Sequence, residues 1–210
     1  MGSDFVAVKD QNATKGSQDP DLDTRERLVR AAIEVFLEKG YGGTRVQDIA
    51  RRAGFTSGAL YVHFPSRTAL LGEAIIREGQ TIMTEIAEQI GSTTPGDGAT
   101  ARLFADFSSG PPTNLDLLLL EALALASRSE EAKEVLADAL GAFVNILMEK
   151  IVLARDAGQI DPDLDAEALR HVFVAWIFGS VVVKALGMGT TDIDSLIAVS
   201  SRLVNGLAPQ

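Results

Sequence analysis

Apolar residues along this chain recur at intervals of three and four and seldom of two, the period of helices buried along one face. Leu28, Ala31, Ala32, Val35 and Phe36 keep that spacing between Thr24, suited to cap a helix start, and Gly40, suited to stop one. Val46, Ile49, Ala50 and Ala53 repeat it at i, i+3, i+4 and i+7, ahead of a second stop at Gly54. Thr44 and Gln47 stand three apart in a capping-box pattern, which predicts that this helix begins at Arg45. A third helix of barely two turns follows, with Thr56 as its cap, Leu60 and Phe64 inward and Pro65 as its break. So short a helix does not persist alone, so packing must hold it. Thr56, Ser57, Gly58, Ala59, Tyr61, Val62 and His63 are then left to face something else.

The same period continues to the C-terminal end, and the chain reads as all-α. Ser66 caps a long fourth helix, with Leu70, Ala74, Ile75, Ile82, Ile86 and Ile90 inward, that ends near Gly91. Residues 91–100 are a loop, a short helix surrounds Leu103, Phe104 and Phe107, and Gly110-Pro111-Pro112 breaks the chain again. Two helices are expected over 114–128 and 130–157. The apolar run 164–187 is interrupted by His171 and Lys184 too early for a membrane span, and reads as a core or interface helix. The last helix, about 192–206, sets Ile193, Leu196, Ile197, Ser200, Leu203, Val204 and Leu207 on one face. Two such helices from each of two chains would close a four-helix bundle. The division expected is a polar arm at 1–23, a small three-helix domain at 24–72 and a larger helical domain at 73–210.

Charge changes this picture in one respect. The 210 residues carry a net charge of −10, awkward for any protein that grips a polyanion. Residues 21–77, however, hold nine Arg and Lys against seven Asp and Glu, so the acidity lies mostly beyond them. That asymmetry suits a protein presenting one end to nucleic acid and keeping the other away from it. There is no Cys, which excludes disulfides and thiolate metal sites and fits a reducing cytoplasm. The two His residues, His63 and His171, are far apart, so neither a metal cluster nor a Ser-His-Asp arrangement is supported. No cofactor, metal or catalytic residue is expected.

From Thr44 to Arg67 the residues match more than a general helix-turn-helix. Thr44, Ile49-Ala50, Ala53-Gly54, Phe55, Thr56, Gly58, Leu60-Tyr61, His63-Phe64 and Arg67 resemble the signature of the tetracycline-repressor (TetR) family of bacterial transcription regulators. The resemblance runs from Arg25 to about Leu71. It implies a DNA-binding domain followed by a helical ligand-binding and dimerisation domain, and a homodimer made by the last two helices. It implies Thr44, Tyr61, His63 and Arg67 on phosphates, Arg45 and Gln47 at the entry to the groove, and Ser57, Gly58, Ala59 and Val62 against base edges. One short recognition helix contacts only a few bases, so a two-fold dimer on a palindromic operator is physically expected.

Such regulators usually hold a small effector in the larger domain. Phe104, Phe107, Phe143, Phe173, Trp176 and Phe178 are the candidates to line an apolar cavity, although core packing explains them equally well. Glu121, Asn145, Arg170 and His171 are candidate polar anchors. The expected function is thus a ligand-released repressor. An acidic dimeric adaptor for a protein partner and a helical small-molecule enzyme are the competing classes.

Overall fold

The computed structural model describes residues 20–90, 99–156, 158, 160–188 and 192–206. Most of the expected arm, the loop at 91–98, Leu207 and the side chains of Ile86, Ile90, Leu103 and Phe143 lie outside the described residues. Among those described there are only helices: α1 (Pro20–Gly43), α2 (Val46–Ala53), α3 (Ser57–His63), α4 (Arg67–Ile90), α5 (Ala99–Ser108), α6 (Asn114–Ala126), α7 (Glu130–Asp156), α8 (Ala166–Ala185) and α9 (Ile193–Asn205).

The expected stops are where the backbone turns left-handed. Gly40 has φ +68° and interrupts α1 three residues before its end, and Gly54 has φ +80° and closes α2. A side chain at either position would meet the Cβ penalty that glycine avoids. After Gly54 the amide of Phe55 donates to the carbonyl of Ala50 at 2.8 Å, which satisfies the end of α2 within the turn. The Thr56 hydroxyl accepts from Ala59 N–H at 3.2 Å and Ser66 Oγ from Ala69 N–H at 3.0 Å, as the sequence predicts for the caps of α3 and α4.

The start of α2 differs from expectation. It is Asp48, not Gln47, whose side chain reaches back, accepting from the Arg45 amide at 3.3 Å, so that Arg45 is the cap and Val46 the first helical residue. The Thr44 hydroxyl is turned inward instead. A hydroxyl serves a cap only when its backbone points it at the helix start, and here the kink at Gly40 brings a bare carbonyl closer.

Leu28, Ala32, Val35 and Phe36 of α1, Ile49 and Ala50 of α2, Leu60 of α3, Phe64, and Leu70, Leu71 and Ala74 of α4 form one core. It continues into Leu115, Leu118 and Leu119 of α6, Leu136 of α7 and Phe173, Ile177 and Val181 of α8, so α1 and α4 are shared between the two halves. Across α1 and α4, Arg25 pairs with Glu73 at 2.6 Å and Arg77 pairs with Glu26. Helix α4 packs on α7, and α5 lies against both α8 and α9.

Helix α8 is long and apolar enough, by length and composition, to cross a membrane. Lys184 near its end is buried and ion-paired at 2.6 Å with the buried Asp116 of α6, which also accepts from the Thr113 amide at 2.7 Å. One turn earlier Ser180 meets Ser108 of α5 at 2.8 Å, and Trp176 Nε1 donates to the same Ser108 hydroxyl at 2.8 Å. Trp176, Ser180 and Lys184 therefore run as a polar seam along an otherwise apolar helix, each with a partner, as burial demands.

Candidate nucleic-acid interface

Helices α2 and α3 meet at the turn around Gly54, and what each side chain does follows from which side of that corner it occupies. Leu60 is fully buried and Phe64 nearly so, and these two hold α3 down. Tyr61 and Val62, the residues between them, point away and are 54% and 81% exposed. Thr56 and Gly58 are exposed, while Ser57, Ala59 and His63 are half-buried. Val62 and Tyr61 thus stand exposed side by side and form the ridge of the outer face of α3. Ser57, Gly58 and Ala59 add little bulk beside it, which allows the ridge to approach another surface closely. Of the candidate base-facing residues, Gly58 and Val62 are thus exposed and Ser57 and Ala59 half-buried, all on one short helix. At the start of α2, Arg45 and Gln47 are exposed near the same corner, and Arg45 makes no ion pair among the described residues.

Two of the residues assigned to phosphates are placed otherwise. Thr44 is fully buried, with its hydroxyl donating to the Gly40 carbonyl at 2.7 Å and lying 3.3 Å from that of Val35. Its side chain does not reach a phosphate from there, and its part is to lock the α1–α2 junction. Arg67 is half-buried, stacks 4.0 Å over the Tyr41 ring and donates to the Thr44 carbonyl. The guanidinium is thus a brace beneath the corner, and removing it disturbs the fold as well as any contact it makes. Tyr41 completes the brace: its ring stacks on Phe36 at 5.8 Å and its hydroxyl bonds Thr68 Oγ1 at 2.8 Å.

Three residues that hold this corner escaped the sequence reading. Arg27 of α1 donates to the Ala53 carbonyl at 2.9 Å and lies 4.6 Å over the Phe55 ring, so it clamps the turn between α2 and α3. Arg25 lies 5.1 Å over Phe64. Only Tyr41 carried a signal, as an aromatic just past a helix stop.

The modest positive excess of this region is largely spent internally. Lys39 and Arg51 both pair with Asp48, at 3.2 and 2.6 Å, and Arg52 pairs with Glu38 and Glu34, at 2.6 and 3.0 Å. The hydrogen bond from Lys39, ahead of those from the Arg45 amide and the charge of Arg51, holds the Asp48 carboxyl below its usual range. The bonds that Arg52 donates to Glu38 and then to Glu34 raise its pKa. Phosphate binding here therefore depends on few free cations and on shape.

In the larger half, the aromatic candidates for an effector cavity pack against one another. Phe104 and Phe173 are buried and stacked at 4.9 Å, Trp176 is tilted on Phe104 at 4.7 Å, and Phe107 and Phe178 are half-buried. Glu121 is half-buried, and Asn145, Arg170 and His171 are exposed, with Arg170 paired to Glu167. Among the described residues no His, Cys, Asp and Glu cluster that suits a metal ion occurs.

Residues 28–74 match the family model described as bacterial regulatory proteins, tetR family. An uncharacterised helix-turn-helix transcriptional regulator of Bacillus subtilis, YerO, is 28% identical over 136 residues, which are 63% of this chain and only 45% of that protein. The transcriptional repressor DhaR of a Mycobacterium species is 24% identical over 180 residues, covering 83% of this chain and 89% of that one. Among solved structures, a TetR-family regulator from a Rhodococcus species superimposes with a TM-score of 0.72 at 23% identity, over 89% of this chain and 99% of the other.

Proposed function

Residues 28–74 match the tetR family of bacterial regulatory proteins and the chain shares the helical fold of the solved structures it superimposes on, and from that premise we propose that it is a member of that family and a repressor released by a small molecule. It is a DNA-binding transcription regulator, and regulators of this family typically act as dimers with small-molecule effectors. The division into a DNA-binding part at 24–72 and an effector and dimer part at 73–210 belongs to the same reading, with α4 running across the boundary.

The single observation that carries it is the exposure of Tyr61 and Val62 on a helix pinned by the buried Leu60 and Phe64. In this reading α3 lies in the major groove with Ser57, Gly58, Ala59 and Val62 toward base edges. Thr56, Tyr61 and His63 flank them toward the backbone, and Arg45 and Gln47 enter at the start of α2. Val62 and Ala59 suit thymine methyls, and Arg45 is the one side chain there with the geometry to read guanine in two hydrogen bonds.

A second copy is proposed to dock on α8 and α9. Val172, Val182, Val183 and Leu186 of α8 and its end, with Val199 and Leu203 of α9, are large apolar residues left in solvent. Scattered apolar residues are ordinary on a surface, but so many on two helices mark a contact. The effector is proposed to be apolar and to enter among Phe104, Phe173 and Trp176. It releases DNA only if it binds better to a form whose recognition helices no longer fit two half-sites.

Fluorescence anisotropy with duplexes enriched from a random library tests the reading. A palindrome should be recovered, bound tightly and released as salt rises. Recovery of no duplex above background would sink it.

A further inference from the structure

An open cleft of about 350 Å³ lies between α1 and α6, at the junction of the two halves, and nothing described so far uses it. Phe36, Leu37 and Gly40 wall it on one side, and Leu117, Leu120 and Glu121 on the other. Glu121 is the sole charged group among its lining residues, and it is half-buried. No cation pairs with it among the described residues. Lys39, next to Gly40 in sequence, is engaged by Asp48, and Arg52 by Glu34 and Glu38. A carboxylate standing on an apolar wall, with no cation beside it among the described residues, offers an incoming ammonium a charge-assisted hydrogen bond.

We propose that this cleft binds a small organic cation with an apolar body, the ammonium pairing with Glu121 and the body lying against Leu37, Leu117 and Leu120. The volume is at the small end of the range for ligand pockets, roughly 300–1,000 Å³.

The position of the cleft links it to DNA. Glu121 Oε1 stands 2.9 Å from where a Cβ would lie on Gly40, the residue at which α1 breaks. The Gly40 carbonyl holds the Thr44 hydroxyl, and the Thr44 carbonyl in turn holds Arg67 of α4. The end of α1, the start of α2 and the start of α4 thus share one hydrogen-bonded corner. An occupant paired with Glu121 therefore sits directly against that corner, and this adjacency is the route by which binding would reach α3. This coupling rests on the DNA-binding reading; the binding itself does not.

Isothermal titration of the full chain with 4-phenylbutylammonium and with 4-phenylbutyrate, which share a body and differ in charge, decides the binding. The cation should bind at least about tenfold more tightly, the scale of one charge-assisted hydrogen bond. Glu121→Gln should abolish that preference, and Ala124→Trp, at an exposed position on the same wall, should block the cation. Circular dichroism checks that both variants are folded. Equal affinity for both probes, a preference that survives Glu121→Gln, or unchanged binding to Ala124→Trp would each overturn the proposal. With an enriched duplex, the cation should change DNA affinity by at least about fivefold in the natural protein and not in Glu121→Gln. Unchanged DNA affinity removes the coupling and leaves the cleft. Failure to bind any duplex counts against the regulator reading, while the titration still decides the cleft.

Discussion

The outer face of α3 and the face of α8 and α9 both leave apolar side chains in water, and they do so differently. On α3 the exposed set is narrow, with Val62 and Tyr61 beside Ser57, Gly58 and Thr56, on a helix of seven residues. On α8 and α9 it is broad and almost wholly aliphatic, from Val172 to Leu186 and again at Val199 and Leu203. A narrow ridge of small and mixed groups suits a groove whose walls are charged and whose floor carries hydrogen-bonding edges. A broad aliphatic face suits another of its kind, because only an apolar partner recovers the free energy of removing it from water. The supports differ as well. The corner is braced by charged groups at its surface, among them Arg27, Arg67 and Asp48, whereas the C-terminal half carries its ion pair, Asp116 with Lys184, buried inside.

The comparison is broken most severely by removing what holds each surface in place. Leu60→Ala deletes a fully buried side chain under the ridge and should cost about 2–5 kcal/mol, measured by urea denaturation, with loss of DNA binding as a consequence. Lys184→Ala leaves Asp116 buried without its cation and should cost about 3–5 kcal/mol in the same assay, while Asp116→Asn with Lys184→Met should recover much of it. Next come the surfaces themselves. Leu203→Asp places a charge on the aliphatic face and should raise the dimer dissociation constant by at least about tenfold in sedimentation equilibrium, without lowering the melting temperature of the monomer. Tyr61→Ala should weaken DNA binding by about tenfold on every duplex sequence in anisotropy, since a backbone contact carries no sequence information. Unchanged affinity would remove Tyr61 from the interface. Arg67→Ala should lower stability as well as affinity, because its guanidinium braces Thr44.

The smallest effect is that of pH. The Lys39 bond holds Asp48 low, and the Arg77 bond holds Glu26 low. A carboxyl whose folded pKa is lowered binds fewer protons folded than unfolded, so its stabilisation is complete above the ordinary carboxylate range, about 4, and fades as pH falls through that range. Melting temperatures from pH 7 to pH 3 should therefore fall at the acid end. In Asp48→Asn the fall should be slightly shallower.

Where local chemistry settles the outcome, the chain could be read residue by residue. Gly40 and Gly54 turn the backbone because both stand at positive φ, where a Cβ is penalised, and Thr56 and Ser66 cap because the amides they satisfy are three residues away. The inward set Leu60 and Phe64, and so the outward set between them, followed from helical period alone. Thr44 resisted that reading. Its sequence neighbours make it a cap, but the Gly40 carbonyl, brought close by a kink four residues back, competes for the same hydroxyl and wins. The bracing role of Arg67 resisted it too, because its stack on Tyr41 and its bond to the Thr44 carbonyl join residues far apart in sequence.

The stops at Gly40 and Gly54 and the exposed ridge of α3 were therefore determined by the amino-acid order itself, since period and glycine act over four residues or fewer; the starts were not all so legible, since α1 begins at Pro20 ahead of the expected cap Thr24, and α2 is capped by Arg45 with Asp48. The pairing of Asp116 with Lys184, 68 positions apart, and the clamp of Arg27 on the turn at Ala53, 26 apart, were decided only by the packing of whole helices. So was the meeting of Gly40 with Glu121 across the cleft. A short-range pattern carries no record of which helix will lie opposite; that is settled when the apolar faces are buried together, and the polar groups then pair with whatever burial has brought within reach.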